Sequence, residues 1–403
     1  MSHTEVVASH ADAVAPHTDI KQAILDWLRA HEQEMFALLE QVVNIDSGSY
    51  NKAGVDQVGA VFRAHLEKAG ITAKVHPNAK HGDCLVAEVP GSAGPESAHV
   101  LLMGHMDTVF PDGTAAKRPY RVEDGVAYGA GVADMKAGLV MNTFVARAFH
   151  ACGGNHLPIK VLYTGDEEIA SPASRELILK MAKGAATVLN AEPGRPSGNV
   201  VTSRKGAFFI DFEVDGVAAH SGVNHDKGAS AIEALARKIT ALHQLTDRAA
   251  GITANVGTIK GGMSVNTVAP HASGQLDVRF PGDVDHENLQ QRIKDIIEDE
   301  ALPCTCGRIT HQGTFLPLFE TNASRDLLAD YRMSAEELGV QVKGEFTGGS
   351  ADSGLTASVG APTLCATGPV GGQVHTADEY CRIDTLVLRA QAVALTILAR
   401  DAV

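Results

Sequence analysis

Apolar, strand-like segments alternate with helical segments through the first half of this chain. The strand-like segments cover residues 84–89, 99–103 and 160–163, and apolar residues recur at helical spacing over residues 136–149 and 174–182. Such alternation is typical of an α/β domain, in which helices flank a mixed, largely parallel sheet. Ligands of open α/β sheets bind beyond the carboxyl ends of the strands, so polar residues at those ends are the first candidates for a functional site.

The middle of the chain follows a different order of elements. We predict strand, helix, strand, strand, helix and strand in turn, at residues 208–214, 229–245, 252–259, 269–279, 284–300 and 305–310. This βαββαβ order describes a ferredoxin-like unit inserted into the α/β domain. The predicted division is a loose tail at residues 1–18, a first domain built from residues 19–205 and 313–403, and an inserted domain at residues 206–312.

The segment LLMGHMDTV, residues 101–109, places His105 and Asp107 at the end of an apolar run. Residues two apart on a strand point to the same side, so this imidazole and this carboxylate are expected to emerge together. The second ring nitrogen of a zinc-binding histidine almost always donates a hydrogen bond that fixes the ring, and a carboxylate is a common acceptor. A lone H-x-D is more often an ordinary loop pair, so the metal interpretation depends on other ligands.

Further acidic or histidine-bearing clusters follow in similar settings: Asp134 in YGAGVADMKAG, Glu167 and Glu168 in VLYTGDEEIAS, Glu192 in VLNAEPG, and His375 in GGQVHTADEY. Two histidines and three carboxylates satisfy two zinc ions if one carboxylate bridges them, and paired metals can clamp a displacement reaction. Adjacent residues do not easily chelate one ion, so one of Glu167 and Glu168 can bind metal while the other acts as a general base. The glycine-rich stretch around Asp134 lacks the G-K-[ST] of a P-loop, which disfavours nucleotide binding.

The set H-x-D, G-x-G-x-A-D-M-K-(A/G)-G, D-E-E, A-E-P and H-T-A-D-E occurs in this order along the chain. It resembles the M20 family of dizinc aminoacylases and carboxypeptidases, particularly the glutamate carboxypeptidase branch. The resemblance implies a zinc-peptidase-like catalytic domain, an inserted lid and dimerisation domain, and a homodimer. It also implies two Zn²⁺ ions, for which Co²⁺ or Mn²⁺ are possible substitutes.

Matched residue by residue, the resemblance implies two metal sites joined by Asp134. His105 and Glu192 would complete one site, and Glu168 and His375 would complete the other. The peptide bond between Asp134 and Met135 is expected to be cis, which would aim the bridging carboxylate.

The resemblance also assigns catalytic and substrate-contacting residues. Glu167 would be the general base that takes a proton from water between the metals, and Asp107 would orient His105. His220, in AAHSG, would reach across the dimer and stabilise the oxyanion in the partner's active site. Asn266 and Arg279 would contact substrate, and the planar fork of an arginine suits a carboxylate.

The loop GEFTGGSADSG, residues 344–354, offers backbone N–H groups at Gly348 and Gly349 that could bind an anion. An ordinary surface glycine loop has the same composition, so both interpretations remain open.

Composition excludes several function classes. With 34 basic and 48 acidic residues the net charge is −14, which argues against binding to nucleic acid or an anionic membrane. The six cysteines show no C-x-x-C spacing, and buried free thiols are the favoured interpretation.

The sequence contains no apolar run long enough for a transmembrane helix and no secretory signal pattern, so we expect a cytoplasmic protein. Apolar spacing over residues 19–45 predicts one scaffold helix with Asp19 as its N-cap.

These observations predict an amide hydrolase that cleaves next to a free carboxylate. The expected substrate carries a C-terminal glutamate, as in folate-like conjugates, or is another N-acyl amino acid. The main alternative is a biosynthetic deacylase that acts on N-acetyl or N-succinyl amino acids. A non-catalytic metal-binding homologue is disfavoured because the ligands and the base are all present.

Overall fold

The computed structural model describes residues 15–401. Its helices are α1 (Ala15–Ala30), α2 (Glu32–Val43), α3 (Lys52–Lys68), α4 (Thr114–Lys117), α5 (Ala137–Cys152), α6 (Arg175–Ala182), α7 (Ala231–His243), α8 (His286–Glu298), α9 (Asn322–Glu337), α10 (Ser353–Ser358) and α11 (Leu386–Asp401). Its strands are β1 (Ala73–His76), β2 (Cys84–Val89), β3 (His99–His105), β4 (Arg121–Glu123), β5 (Val126–Tyr128), β6 (Ile159–Thr164), β7 (Ala185–Asn190), β8 (Val200–Arg204), β9 (Gly206–Asp215), β10 (Thr253–Gly261), β11 (His271–Phe280), β12 (Cys306–Phe315), β13 (Gly344–Thr347), β14 (Thr363–Leu364), β15 (Gly371–Gly372) and β16 (Tyr380–Arg382).

The largest sheet has the strand order β1-β2-β6-β3-β7-β14. Strands β6, β3, β7 and β14 run parallel, whereas β1 and β2 pair antiparallel at one edge. Every residue of β3 is buried, and its apolar run, residues 100–103, is typical of a central strand covered on both faces. The carboxyl ends of β6, β3 and β7 therefore lie side by side at one edge of the sheet, where the predicted site residues follow them.

The predicted βαββαβ unit forms a second sheet with the order β10-β11-β9-β12, in which all neighbours are antiparallel. Helices α7 and α8 contribute to its core, which includes Phe208, Phe212 and Ile293 and is separate from the core around α5. The predicted fold class is confirmed. The last strand of the unit runs to Phe315, past the predicted end at residue 310.

The N-terminal prediction is wrong in detail. Residues 19–45 form two helices, α1 and α2, and α1 begins at Ala15, so Asp19 lies inside the helix and is not its N-cap. His31 lies between the helices; its ring stacks on Trp27 at 3.7 Å and its Nδ1 hydrogen-bonds the Trp27 carbonyl oxygen at 2.7 Å. Residues 1–14 of the predicted tail lie outside the described residues.

The six cysteines are free, and their burial is mixed. Cys84, Cys365 and Cys381 are buried as predicted, but the prediction is wrong for Cys304 and Cys306, which are exposed. These two lie where the chain enters β12, a strand at the edge of its sheet. Among the described residues, no helix combines the length and the hydropathy needed to cross a membrane.

Candidate active site

Three adjacent parallel strands deliver the first group of site residues. His105 is the last residue of β3, Glu167 and Glu168 open a short helical turn after β6, and Glu192 follows β7. His105 Nε2 lies 3.8 Å from Glu167 Oε2 and 3.7 Å from Glu192 Oε1. All these side chains are almost fully buried, so their charges interact strongly.

The carboxylate of Asp134 lies between two histidines. Its Oδ1 is 3.3 Å from His105 Nε2, and its Oδ2 is 3.3 Å from His375 Nε2. Glu168 Oε2 in turn lies 3.4 Å from His375 Nε2. The Asp134–Met135 peptide bond is cis, as predicted. The structure therefore places the donors of the two predicted metal sites on opposite sides of the Asp134 carboxylate.

The donor chemistry fits bound metal ions. Within the described part of the chain, Glu168 Oε1 and Asp134 Oδ1 are buried without a hydrogen-bond partner. Burial, and then the nearby Asp134, raise the pKa values of Glu168 and Glu192 to about 7. Carboxylates in such a setting are costly to keep ionised unless a cation compensates them. Imidazole nitrogen and carboxylate oxygen are ligands that zinc accepts.

A cavity of about 590 Å³ opens onto this cluster and also contains arginines. Arg195, Arg204 and Arg279 line it together with the loop 347–350. Arg279 donates to Ser350 Oγ at 3.2 Å and pairs with Asp277 at 2.8 Å, and its guanidinium lies over a phenylalanine ring at 4.9 Å. The cavity therefore combines acidic metal donors with cations that can bind a substrate carboxylate.

Comparison with known proteins agrees with this geometry. Residues 101–399 match the sequence profile of peptidase family M20/M25/M40. The chain belongs to this family. It is 29% identical to carboxypeptidase G2 of Pseudomonas sp. (strain RS-16) over 371 residues, which cover 89% of this chain and 88% of the relative.

Two further comparisons are informative. Succinyl-diaminopimelate desuccinylase of Methylococcus capsulatus is 26% identical over 310 residues, covering 71% of this chain and 79% of the relative. A solved M20 family metallo-carboxypeptidase from Sulfolobus solfataricus superposes with a TM-score of 0.75 at 19% identity, covering 92% of this chain and 100% of that one. The family therefore identifies this chain as a metal-dependent amide hydrolase.

In this M20 chain Asp107 makes contacts that the sequence did not reveal. Strand β3 ends at His105, so the two residues do not share a strand face, and His105 Nδ1 hydrogen-bonds the main-chain oxygen of Asp107 at 2.9 Å. The Asp107 carboxylate lies 3.4 Å from that ring nitrogen. It accepts the backbone N–H groups of Glu167 at 3.0 Å and Glu168 at 3.1 Å, and the Ser49 hydroxyl at 2.7 Å. Asp107 therefore holds the turn that carries the predicted base.

Glu379 is a site residue that sequence reasoning missed. Its buried carboxylate accepts the backbone N–H groups of Gly131 at 3.0 Å and of Ala133 and Asp134 at 2.9 Å each. It therefore fixes the loop that presents Asp134. A signal was present, because Glu379 belongs to the same H-T-A-D-E segment as His375.

Arg204 and Asp352 were also missed. Arg204 is buried next to the cluster and donates to the Gly349 carbonyl oxygen at 3.2 Å. Asp352, in the glycine-rich loop segment, accepts the Ser171 hydroxyl at 2.6 Å, and burial raises its pKa to about 7.

The remaining predicted residues divide into two groups. Arg279, Gly348 and Gly349 line the large cavity, whereas His220 and Asn266 do not. His220 is exposed, and its Nδ1 accepts the N–H of Gly222 at 3.2 Å. It lies beside Asn266, because the N–H of Ser221 donates to the Asn266 carbonyl oxygen at 3.0 Å. A role for these two in the site would need either closure of the inserted unit or a second chain.

Proposed function

We propose that this protein is a dinuclear zinc hydrolase that cleaves the amide bond of an N-acyl amino acid, with C-terminal glutamate as the preferred leaving group. The observation that carries the proposal is the position of Asp134. Its two carboxylate oxygens each lie 3.3 Å from a different histidine, an arrangement suited to a carboxylate that bridges two metals. Similarity to carboxypeptidase G2 supports the same reaction class.

The proposed metal ligands are His105, Asp134, Glu168, Glu192 and His375. Bound metals would polarise the amide carbonyl and lower the pKa of a water molecule. Glu167 accepts a proton from the attacking water and transfers it to the departing amine nitrogen. Burial raises the pKa of Glu167 well above its usual range, which suits a group that must gain and lose a proton.

Arg279 is the proposed receptor for the free carboxylate of the substrate. Asp277 and Ser350 hold its guanidinium in place, so little side-chain entropy is lost when substrate binds. The backbone N–H groups of Gly348 and Gly349 and the amide of Asn266 are the proposed additional donors.

In this proposal the domain built from residues 19–205 and 313–403 is the catalytic domain. The inserted domain, residues 206–312, forms the lid and the dimer contacts. Within the inserted unit, Val223, Met263 and Val265 are 73%, 76% and 103% exposed. We propose that these exposed apolar side chains pack against a second copy of the chain in a homodimer. His220 would then supply a hydrogen-bond donor to the partner's oxyanion.

A hydrolysis panel tests the proposal. Zinc-loaded protein is assayed against benzoyl, p-aminobenzoyl, acetyl and succinyl derivatives of glutamate and of other amino acids, with the Glu167→Gln variant as control. We expect hydrolysis of N-acyl glutamates by the native chain only. Failure on every N-acyl amino acid would refute the proposal. Preference for N-succinyl-diaminopimelate would instead support the second candidate, a biosynthetic deacylase, which the similarity to the Methylococcus desuccinylase favours.

A further inference from the structure

Two exposed cysteines lie close together in the inserted unit, away from the metal donors. Of the six cysteines, which all lie within the described residues, Cys304 and Cys306 alone are exposed. Strand β12 runs from Cys306 to Phe315, and Phe315 lines the catalytic cavity. Since a strand rises about 3.3 Å per residue, the two thiols lie about 30 Å from that cavity. The proposed hydrolysis therefore does not use them.

The spacing of the two cysteines is within reach of a disulfide bond. Consecutive Cα atoms are about 3.8 Å apart, so the Cα atoms of residues two apart are separated by about 5–7 Å. Disulfides join residues whose Cα atoms lie about 4.4–6.8 Å apart. The buried Thr305 separates the two cysteines, and its hydroxyl donates to the Leu302 carbonyl oxygen at 2.7 Å. This intervening side chain is thus held within the preceding turn, and the backbone spacing permits a bond between the two sulfurs.

The turn that carries Cys304 would ordinarily favour another residue. The N–H of Thr305 donates to the Leu302 carbonyl oxygen at 3.1 Å, which closes a turn with Pro303 second and Cys304 third. Cys304 has a φ of +63°. A turn with proline second and a positive φ third is a type II turn, whose third position favours glycine. The turn therefore gains nothing from the cysteine side chain.

Exposure and a nearby cation distinguish Cys306 from the buried thiols. Burial raises the pKa of Cys84 to about 12 and also raises that of Cys365, so both remain protonated and unreactive. Cys306 lies close to Lys238, whose pKa is lowered by burial and raised in opposition by the charges of Asp299 and Cys306. A cation in this position attracts the anionic sulfur that attacks a disulfide.

The acids beside the pair favour Cys306 as the attacking sulfur. Asp215 lies opposite Cys306 in the sheet, and its carboxylate forms an ion pair with Arg308. Its charge is therefore compensated. The Glu300 carboxylate accepts the N–H of Cys304 at 3.0 Å and places a negative charge beside that cysteine. Because like charges repel, an anionic sulfur is less favourable at Cys304 than at Cys306.

We propose that Cys304 and Cys306 form a reversible thiol–disulfide couple that reacts with small-molecule disulfides, such as glutathione disulfide. The Cys306 thiolate attacks one sulfur of glutathione disulfide, the bond between the two glutathione sulfurs breaks, and the departing thiolate takes up a proton. The Cys304 thiolate then attacks the Cys306 sulfur and releases the second glutathione. Two cysteine thiols are oxidised to one disulfide, and one small disulfide is reduced to two thiols.

Peptide mass spectrometry tests the couple directly. Zinc-loaded native protein is incubated with glutathione disulfide, quenched with acid, alkylated and digested with trypsin. Cleavage after Lys294 and Arg308 releases residues 295–308, which contain both cysteines, as one peptide. We expect this peptide to lose two hydrogen atoms, to resist alkylation and to retain no glutathione. Dithiothreitol should restore both thiols.

Single variants separate the two steps. Cys304→Ser should accumulate a glutathione adduct at Cys306, because no second thiol is present to displace it. Cys304→Gly, which suits the type II turn, should give the same adduct. Cys306→Ser should form its adduct about tenfold more slowly than Cys304→Ser. Cys152→Ser removes the half-buried cysteine and is the matched control, which should react as the native chain does.

Three outcomes would overturn the couple. They are a glutathione adduct in the native chain at the level seen in Cys304→Ser, disulfide-linked dimers in place of the oxidised 295–308 peptide, and no reaction of that peptide with glutathione disulfide. Faster adduct formation in Cys306→Ser than in Cys304→Ser would overturn the assignment of Cys306 as the attacking sulfur.

Discussion

Substitution of Asp107 by asparagine is the change whose effect the structure defines most closely. Asp107 Oδ1 accepts the N–H of Glu167, and Oδ2 accepts both the N–H of Glu168 and the Ser49 hydroxyl. Asparagine offers one acceptor oxygen. The asparagine side chain keeps more of these hydrogen bonds when its oxygen takes the position of Oδ2. Its NH2 group then faces the N–H of Glu167, which loses its acceptor.

The expected loss follows from these contacts. A buried N–H left without an acceptor costs about 1–3 kcal/mol, and each of the two remaining hydrogen bonds weakens by about 1 kcal/mol when its acceptor loses its charge. The free energy of unfolding should therefore fall by about 3–5 kcal/mol. The turn carrying Glu167 should also shift, so we expect kcat to fall as well.

Urea unfolding of the chelator-treated protein measures this loss without a contribution from metal binding. Trp27 is the only tryptophan of the chain and packs near Phe144 of α5, so its fluorescence reports on the core beneath the site. Ser49→Ala is the matched control, because it removes a single hydrogen bond to the charged carboxylate and should cost about 2 kcal/mol. If the Asp107→Asn protein were as stable as Ser49→Ala, the hydrogen bond from the N–H of Glu167 to Asp107 would not stabilise the fold.

Three further predictions concern the site. Glu167→Gln should retain both metals and lower kcat by about 10²–10⁴-fold, because a neutral amide cannot accept the proton of water; near-native kcat would exclude Glu167 as the base. Glu168→Gln should weaken the occupancy of one metal, measured by elemental analysis, and two full sites would contradict the ligand assignment. Mixing inactive His220→Ala and Glu167→Gln chains should restore part of the activity, because some heterodimers contain one complete site. No recovery despite demonstrated subunit exchange would rule out a role in trans.

Local sequence patterns predicted most of the fold. The apolar run at residues 84–89 coincides with β2, and the spacing of apolar residues in the central segment identified the βαββαβ unit. Such spacing is informative because the buried face of each strand or helix must be apolar. The break at His31 was missed because the apolar spacing continues across it. A side-chain hydrogen bond to the Trp27 carbonyl oxygen accompanies that break.

For the site, the sequence indicated the candidate metal-binding and catalytic residues but not the hydrogen bonds that hold them in place. The proposed metal donors stand at the ends of apolar segments, where local pattern is informative. Glu379 and Gly131 are 248 positions apart, so their hydrogen bond exists only after the fold has formed. Likewise, Asp107 reaches the backbone of Glu167 only because β3 and β6 are neighbours in the sheet.

We propose that one carboxylate, Asp134, joins two metal sites. The most direct measurement is the zinc content of the chain after saturation and removal of free metal, determined by elemental analysis against protein concentration. We expect two zinc ions per native chain. Saturation at one ion per chain, or at none, would contradict it.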